Sequence, residues 1–165
     1  MTLDTDIAQL ATQEEALQFD SFNAETGWQL GGILRRLCVE RGLVAVIDVQ
    51  INSMPVFYCA IDGTTPDNPN WVRRKRNVAL RFFKSSYAMG LMLARQETDL
   101  EKKFGVSLAE FAAHGGSFPI TVKNTGCIGA VTVSGLPQRE DHNLVVEALA
   151  ELLGADHAGL RLPNT

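Results

Sequence analysis

Two glycine-containing loops at the ends of one predicted hairpin hold the residues best suited to contact a ligand. They are Gly115-Gly116 and Ser134-Gly135, and glycine lets a ligand approach main-chain amides closely. A helix predicted after Pro137 would also present its N-terminal N–H groups to an anion. However, Glu140 and Asp141 fall in or near its first turn, where they complement the helix dipole and would repel an anion. The loops therefore indicate either a ligand site or plain turn and capping chemistry.

A run of four cations, Arg73-Arg74-Lys75-Arg76, is the strongest local charge in the sequence. Residues 69–95 hold seven Lys or Arg and no acid, which leaves 8 basic against 19 acidic residues elsewhere. Such cations could hold a small carboxylate, or form a solvated or subunit-bridging face paired with the acidic remainder. Phosphate contacts are a third interpretation, but the net charge of −4 argues against nucleic acid. Lys75 lies one turn beyond Trp71, so we expect it to point inward.

Three histidines, His114, His142 and His157, carry the side chain that could bind a metal ion or haem iron. They lie far apart without HxH or HxxxH spacing, so a surface or capping role is the default expectation for each. His114 is the best candidate because it precedes the Gly115-Gly116 loop. The sequence contains no GxSxG, HExxH, Walker or GxGxxG motif. The residues by themselves therefore give no support for a catalytic set.

Length and composition are those of one globular domain spanning residues 1–165. Hydrophobic residues make up 45% and charged residues 21%, and the apolar runs stay well below the ~18 residues of a membrane span. Three cysteines without a CxxC pair indicate buried thiols in a reducing compartment. The N-terminal residues are acidic where a secretion signal would be basic. We therefore expect a cytoplasmic protein without a membrane segment.

Periodicity and turn residues predict helices packed on an antiparallel sheet. Asn23 should cap a helix that ends at Gly42 and buries Trp28. The predicted elements are helices over 4–17 and 23–42, strands over 43–51 and 55–61, a long helix over 69–95, two short helices starting at Thr98 and Ser107, strands over 118–123 and 127–134, and a helix after Pro137. This order predicts an α/β (α+β) domain: a sheet of four or five strands with helices on both faces. Residues 155–165 are expected to be a flexible tail or to bind a partner chain.

Two segments resemble the haem-degrading-domain family, also called GlcG-like. The family pattern GG..P(I/V)…G..(I/V)GA(I/V).VSG, followed by an aspartate, is matched by Gly115, Gly116, Pro119, Gly126, Gly129, Ala130, Val133, Ser134, Gly135 and Asp141. The segment NPNWVRRKRNVALRFFKSS resembles an uncharacterised cytosolic branch of that family through Trp71, Arg74, Lys75 and Ser85-Ser86. The resemblance covers most of the chain.

The resemblance implies a profilin-like three-layer domain and homo-oligomers, from dimers up to rings. Some relatives bind haem or cobalamin-related ligands, and haem degradation is claimed for a few. Because the family motif consists mostly of glycine and small apolar residues, it could reflect the packing of the hairpin as well as the binding of a ligand.

Our first functional hypothesis is a site for haem or another anionic small ligand. Gly115, Gly116, Ser134 and Gly135 would supply backbone contacts, Arg74 and Lys75 would hold the charge, and His114 would be the axial ligand. The alternative is a scaffold without small-molecule chemistry, in which the basic helix and the acidic remainder form subunit or partner contacts. An enzyme is a third hypothesis, which rests on family analogy alone.

Overall fold

The computed structural model describes residues 2–164, which form seven helices and four strands. In chain order the elements are α1 (Leu3–Ala16), α2 (Ala24–Arg41), β1 (Val46–Ile51), β2 (Met54–Ala60), α3 (Asp67–Phe82), α4 (Ser86–Arg95), α5 (Leu100–Phe104), β3 (Ser117–Val122), β4 (Gly126–Ser134), α6 (Gln138–Leu153) and α7 (His157–Leu160). Among these residues no helix is long and apolar enough to cross a membrane.

The four strands form one antiparallel sheet in the order β2-β1-β4-β3. The two hairpins lie side by side because β1 pairs with β4, from Val46 opposite Ser134 to Ile51 opposite Gly129. A Cβ at Gly129 would lie 1.9 Å from the carbonyl oxygen of Gln50. The close approach of the two central strands therefore requires glycine at this motif position.

The two faces of the sheet differ in polarity. Ile47 and Val131 belong to an apolar cluster that packs against α2 and α6 and forms the main core. The alternate residues of the same strands point to the other face, where Asp48 pairs with Arg76 of α3 at 2.8 Å. Helices thus cover both faces, which confirms the predicted three-layer α/β architecture.

Helix α2 begins and ends where the sequence predicts, but one of its side chains points the other way. Asn23 forms a capping box, and Gly42 ends the helix in the left-handed conformation at φ 64°. Gly31 packs so closely on β2 that a Cβ would lie 2.1 Å from the ring of Phe57. Trp28, expected to be buried, is 60% exposed and meets Phe57 only edge-on.

The prediction of one long helix over 69–95 is wrong, because the chain forms two helices in this range, α3 and α4. Phe83 ends α3 in the left-handed region at φ 53°. Ser85 then caps α4 by accepting a hydrogen bond from the Ala88 amide at 3.1 Å. The apolar pattern continues across the break since Val78 and Met89 enter the same cluster.

Two shorter elements also differ from expectation. Strand β1 begins at Val46 and not at Leu43, because the Leu43 amide still bonds the Cys38 carbonyl at the end of α2. The second short helix, expected from Ser107, is a single turn in which the amides of Glu110 and Phe111 both bond the Ser107 carbonyl.

The C-terminal segment, expected to be a flexible tail, is packed over its described part. Leu160 and Leu162 are buried. Gln13 of α1 donates to the Leu160 carbonyl at 2.7 Å, and Asn143 of α6 exchanges two hydrogen bonds with the Leu162 backbone. The tail thereby ties α1 to α6.

Candidate functional site

A cleft of about 270 Å³ opens where the N-terminal ends of α3 and α6 approach the loops around the β3–β4 hairpin. Its lining consists of Asp67, Asn68, Trp71, Lys75, His114, Ser134, Gly135, Leu136, Gln138 and Asp141. Pro66 and Pro137 precede the two helices, and neither helix has a side-chain N-cap hydrogen bond within residues 2–164. The positive ends of two helix dipoles therefore lie at one cleft.

A buried ion pair forms the floor of the cleft. The Lys75 ammonium lies 2.9 Å from Asp141 Oδ2 and also donates to the Val133 carbonyl at 3.3 Å. Asp141 also accepts from the amides of Leu136, at 3.0 Å, and Gly135, at 3.4 Å. Burial raises the pKa of Asp141 to about 6, although Lys75 and the two amides oppose that shift.

This pairing changes the expected role of Asp141. The sequence places Asp141 in or near the first helical turn, where it would complement the helix dipole, whereas the structure buries its side chain completely in a pair with Lys75. Its carboxylate accepts from the Gly135 amide, which the first functional hypothesis assigned to a ligand. Lys75 is buried, as expected, but two of its three N–H groups are already used.

The loop glycines are packed tightly against the protein itself. A Cβ at Gly115 would lie 2.1 Å from the Gln138 carbonyl oxygen, and one at Gly116 would lie 2.3 Å from that of Val133. Gly135, at φ 159°, comes equally close to the Val44 carbonyl. Packing therefore explains all three glycines. Gly115 and Gly116 are not among the residues that line the cleft, and their contact with a ligand stays a prediction.

His114 stands exposed at the rim of the cleft. Its ring lies edge-on to Trp71 with centroids 5.3 Å apart. Partial burial, followed by the charges of Lys75 and Arg74, lowers the pKa of His114 below 6.5. The imidazole is therefore neutral at pH 7, which is the form that binds a metal ion.

An apolar groove of about 300 Å³ adjoins the cleft, and His114 lines both. Leu93, Leu100 and Phe111 form much of its wall, with Arg74 at one end. The Arg74 guanidinium lies 4.4 Å from the Trp71 ring centroid and donates two hydrogen bonds to the Leu108 carbonyl. Arg74 therefore belongs to the groove and not to the cleft where Lys75 lies.

Two amide side chains at the cleft were missed by sequence reasoning. The carbonyl of Asn68 accepts from the Thr65 amide at 2.9 Å, and that of Gln138 accepts from the Gly115 amide at 3.1 Å. Neither NH₂ group makes a hydrogen bond within residues 2–164. The one available signal was their position at the start of two helices, next to Pro69 and Pro137.

Most of the remaining cations of α3 and α4 pair with acids from elsewhere in the chain. These pairs are Arg73 with Glu110, Arg76 with Asp48, Lys84 with Glu14, and Arg95 with Asp4. Arg81 lies over the Phe111 ring. The positive charge of α3 and α4 is thus largely balanced by acids of the same chain. This agrees with the interpretation of the basic helix as a face paired with the acidic remainder.

The other two histidines lie away from the cleft. His142, expected at the surface or in a cap, is completely buried, and burial lowers its pKa to about 3. Its Nε2 lies 2.7 Å from Gln13 Oε1, and Nδ1 has no hydrogen-bond partner in the described chain. His157 is partly exposed on α7. No group of three or more His, Cys, Asp or Glu within residues 2–164 could hold a metal ion.

Comparison with known proteins agrees with this architecture. Residues 22–150 match the family model described as haem degrading protein HbpS-like. A UPF0303 protein of Rhizobium meliloti is 67% identical over 164 residues, covering 99% of this chain and 100% of that protein.

Among solved structures, the crystal structure of the Ybr137w protein is similar with a TM-score of 0.83 and 29% identity, covering 90% of this chain and 87% of that one. The PduOC:heme complex has a TM-score of 0.65 at 12% identity, covering 79% of this chain and 94% of that one, and shares the fold. The family model spans most of the chain, so this protein belongs to the HbpS-like haem-degrading family.

Proposed function

We propose that the protein binds haem at the junction of the cleft and the apolar groove, with His114 as the iron ligand. The observation that carries this proposal is the position of His114, a neutral imidazole that lines both cavities. The family model and the haem complex of a structural neighbour give independent support.

The residues fit haem in part. The groove wall offers an apolar surface for a planar macrocycle, and Arg74 retains an N–H group that could reach a carboxylate. Lys75 fits less well as a propionate anchor because Asp141 already neutralises it. Each cavity lies at or below the roughly 300–1,000 Å³ of usual ligand sites, so haem would have to extend over both. Bound haem would supply a redox-active iron.

The test is a haem titration of the apo-protein followed by the Soret band. We expect a saturable shift at one haem per chain or per dimer, and its loss in His114→Ala. The matched control is His157→Ala, which removes a partly exposed histidine away from the cleft and should leave the titration unchanged. If His114→Ala titrates like the unmodified protein, His114 is not the ligand. A saturable shift would make haem degradation with ascorbate or peroxide the next assay.

We further propose that the protein self-associates through the outer edge of β2. This strand ends the sheet, and its outer side pairs with no strand in the described part of the chain. Met54 and Tyr58 on β2 are 58% and 52% exposed, and Trp28 lies nearby against Phe57. An unpaired edge flanked by exposed apolar side chains favours pairing with an identical edge. The scaffold alternative expected such contacts from the basic helix and the acidic remainder, whose charges mostly pair within one chain.

A further inference from the structure

We propose that the polar cleft binds a short carboxylate through neutral amide and hydroxyl donors, independently of any haem at His114. The donors are Asn68, Ser134 and Gln138, with the remaining N–H of Lys75 at the floor. This ligand class concerns the cleft alone and leaves the apolar groove free.

The orientation of the donors is fixed by the protein. Backbone amides of Thr65 and Gly115 hold the carbonyl oxygens of Asn68 and Gln138. Each NH₂ group is consequently left to donate, and both side chains line the cleft. Two amides presented in this way are complementary to the oxygen atoms of an acceptor.

The hydroxyl of Ser134, which has no partner within the described chain, indicates a ligand independently of the helix ends. The residue is 4% exposed and lines the cleft. Its hydroxyl makes no hydrogen bond within residues 2–164, and because it is not among the fully buried atoms without a partner, it stays accessible to a ligand. Buried polar groups are usually hydrogen-bonded. An oxygen atom of a ligand in the cleft would supply the missing partner.

The charges around the cleft favour a ligand with a single negative charge over a dianion. Lys75 and Asp141 neutralise each other, and Asp67 stands at the exposed mouth with one oxygen bonded to the Trp71 indole N–H. A phosphate dianion would meet two carboxylates and one already paired cation. A carboxylate monoanion meets the same two carboxylates with half the charge, so the neutral donors and the positive ends of α3 and α6 suffice to hold it. A hydroxyl on the same ligand could donate to the second oxygen of Asp67.

The test uses apo-protein and titrates acetate, lactate and inorganic phosphate by isothermal calorimetry and amide NMR shifts. We expect saturable binding of acetate, tighter binding of lactate, and weaker binding of phosphate than of either carboxylate. Because no haem is present, failure here leaves the haem proposal standing, and failure of the Soret titration leaves this one standing.

Variants that introduce a negative charge at the donors give a sharper test. Asn68→Asp and Gln138→Glu keep the carbonyl-type oxygen that accepts from Thr65 or Gly115, and an acid suits a helix start. Each replaces a donor by a negative charge, so lactate affinity should fall at least about tenfold. Ser134→Ala should weaken binding without loss of any protein hydrogen bond. Thermal melting confirms that each variant is folded.

The matched control is Asn70→Asp, which adds the same charge in the first turn of α3 at an exposed residue that does not line the cleft. Lactate affinity should remain close to that of the unmodified protein. The proposal is overturned if no carboxylate binds, if phosphate binds more tightly than lactate, or if Asn70→Asp costs as much affinity as Asn68→Asp. It is equally overturned if Ser134→Ala binds lactate unchanged.

Discussion

The Lys75–Asp141 pair shows how one buried contact joins three parts of the chain. It links α3, α6 and the loop after β4, and both side chains are at most 5% exposed. Removing one partner of a buried pair leaves an uncompensated charge, which typically costs about 3–5 kcal/mol. Lys75→Met should therefore destabilise the protein by about this amount at pH 7.5 in urea unfolding.

The loss in Lys75→Met should shrink at pH 5. Burial already raises the pKa of Asp141, and removal of Lys75 raises it further. A raised carboxyl pKa contributes stability at low pH that is lost as pH rises through the folded-state value. In acid the unpaired carboxyl becomes protonated and its penalty falls. An equal loss at both pH values would mean that Asp141 does not carry the effect.

His142 should make the folded state sensitive to acid. Burial, with a smaller contribution from Arg139, lowers its pKa to about 3, whereas the unfolded side chain titrates near 6.5. A depressed histidine pKa gives stability that is complete above about pH 6.5 and is lost as pH falls, by at most about 1.4 kcal/mol per pH unit.

The comparison that isolates this effect is His142→Gln, unfolded in urea at pH 7.5, 6.5 and 5.5. Between pH 6.5 and 5.5 the unmodified protein should lose more stability than the variant, because a glutamine side chain cannot titrate. Asp141 acts in the opposite direction in acid, but it is present in both proteins and cancels. His157→Gln should retain the slope of the unmodified protein; if it flattens as well, burial of His142 is not the cause.

At the scale of elements, the break between α3 and α4 depends on Ser85. This residue is buried, its hydroxyl accepts from the Ala88 amide, and its own amide donates to Glu14 at 2.7 Å. Ser85→Ala removes the N-cap and should cost about 1–2 kcal/mol in thermal or urea unfolding. Ser85→Thr keeps the hydroxyl and should recover most of the loss. If Thr is as damaging as Ala, packing at the junction matters more than the cap.

Capping residues and turn residues predict most helix ends and hairpins well, and the order of these elements predicts the fold. The Asn23 cap, the Gly42 stop and the β3–β4 hairpin each depend on neighbouring residues. The break at Phe83 escaped prediction because the apolar pattern runs through it and because the left-handed conformation is unusual for phenylalanine. Pattern alone does not distinguish one long helix from two that bury the same stripe.

The candidate site was predictable only where a residue carries its own signal. His114, Ser134 and Gly135 stand at loops that the sequence marks by glycine, and they line the cleft. The partner of Lys75 lies 66 residues away, so the sequence offered no means to foresee the pair. The sequence therefore predicts only a helix-start acid at Asp141, and the tertiary structure is needed to assign this residue to the floor of the cleft.

At the scale of the whole molecule, the cations of α3 and α4 are mostly paired within one chain, which is why we propose the apolar edge of β2 as the surface for self-association. Tyr58 on β2 is the most informative position, because a lysine on an edge strand opposes edge-to-edge pairing. We expect the unmodified protein to be an oligomer at micromolar concentration by light scattering, and Tyr58→Lys to be smaller. Added salt should change the oligomer little, since the contact is apolar.

The control for this experiment is Phe83→Lys, which replaces another exposed aromatic residue away from the sheet edge. Its oligomer should match that of the unmodified protein. If Phe83→Lys dissociates the oligomer and Tyr58→Lys does not, the interface lies at the α3–α4 break and not at β2. A monomeric unmodified protein would exclude edge pairing, and a monomer unaffected by salt would also count heavily against the scaffold alternative.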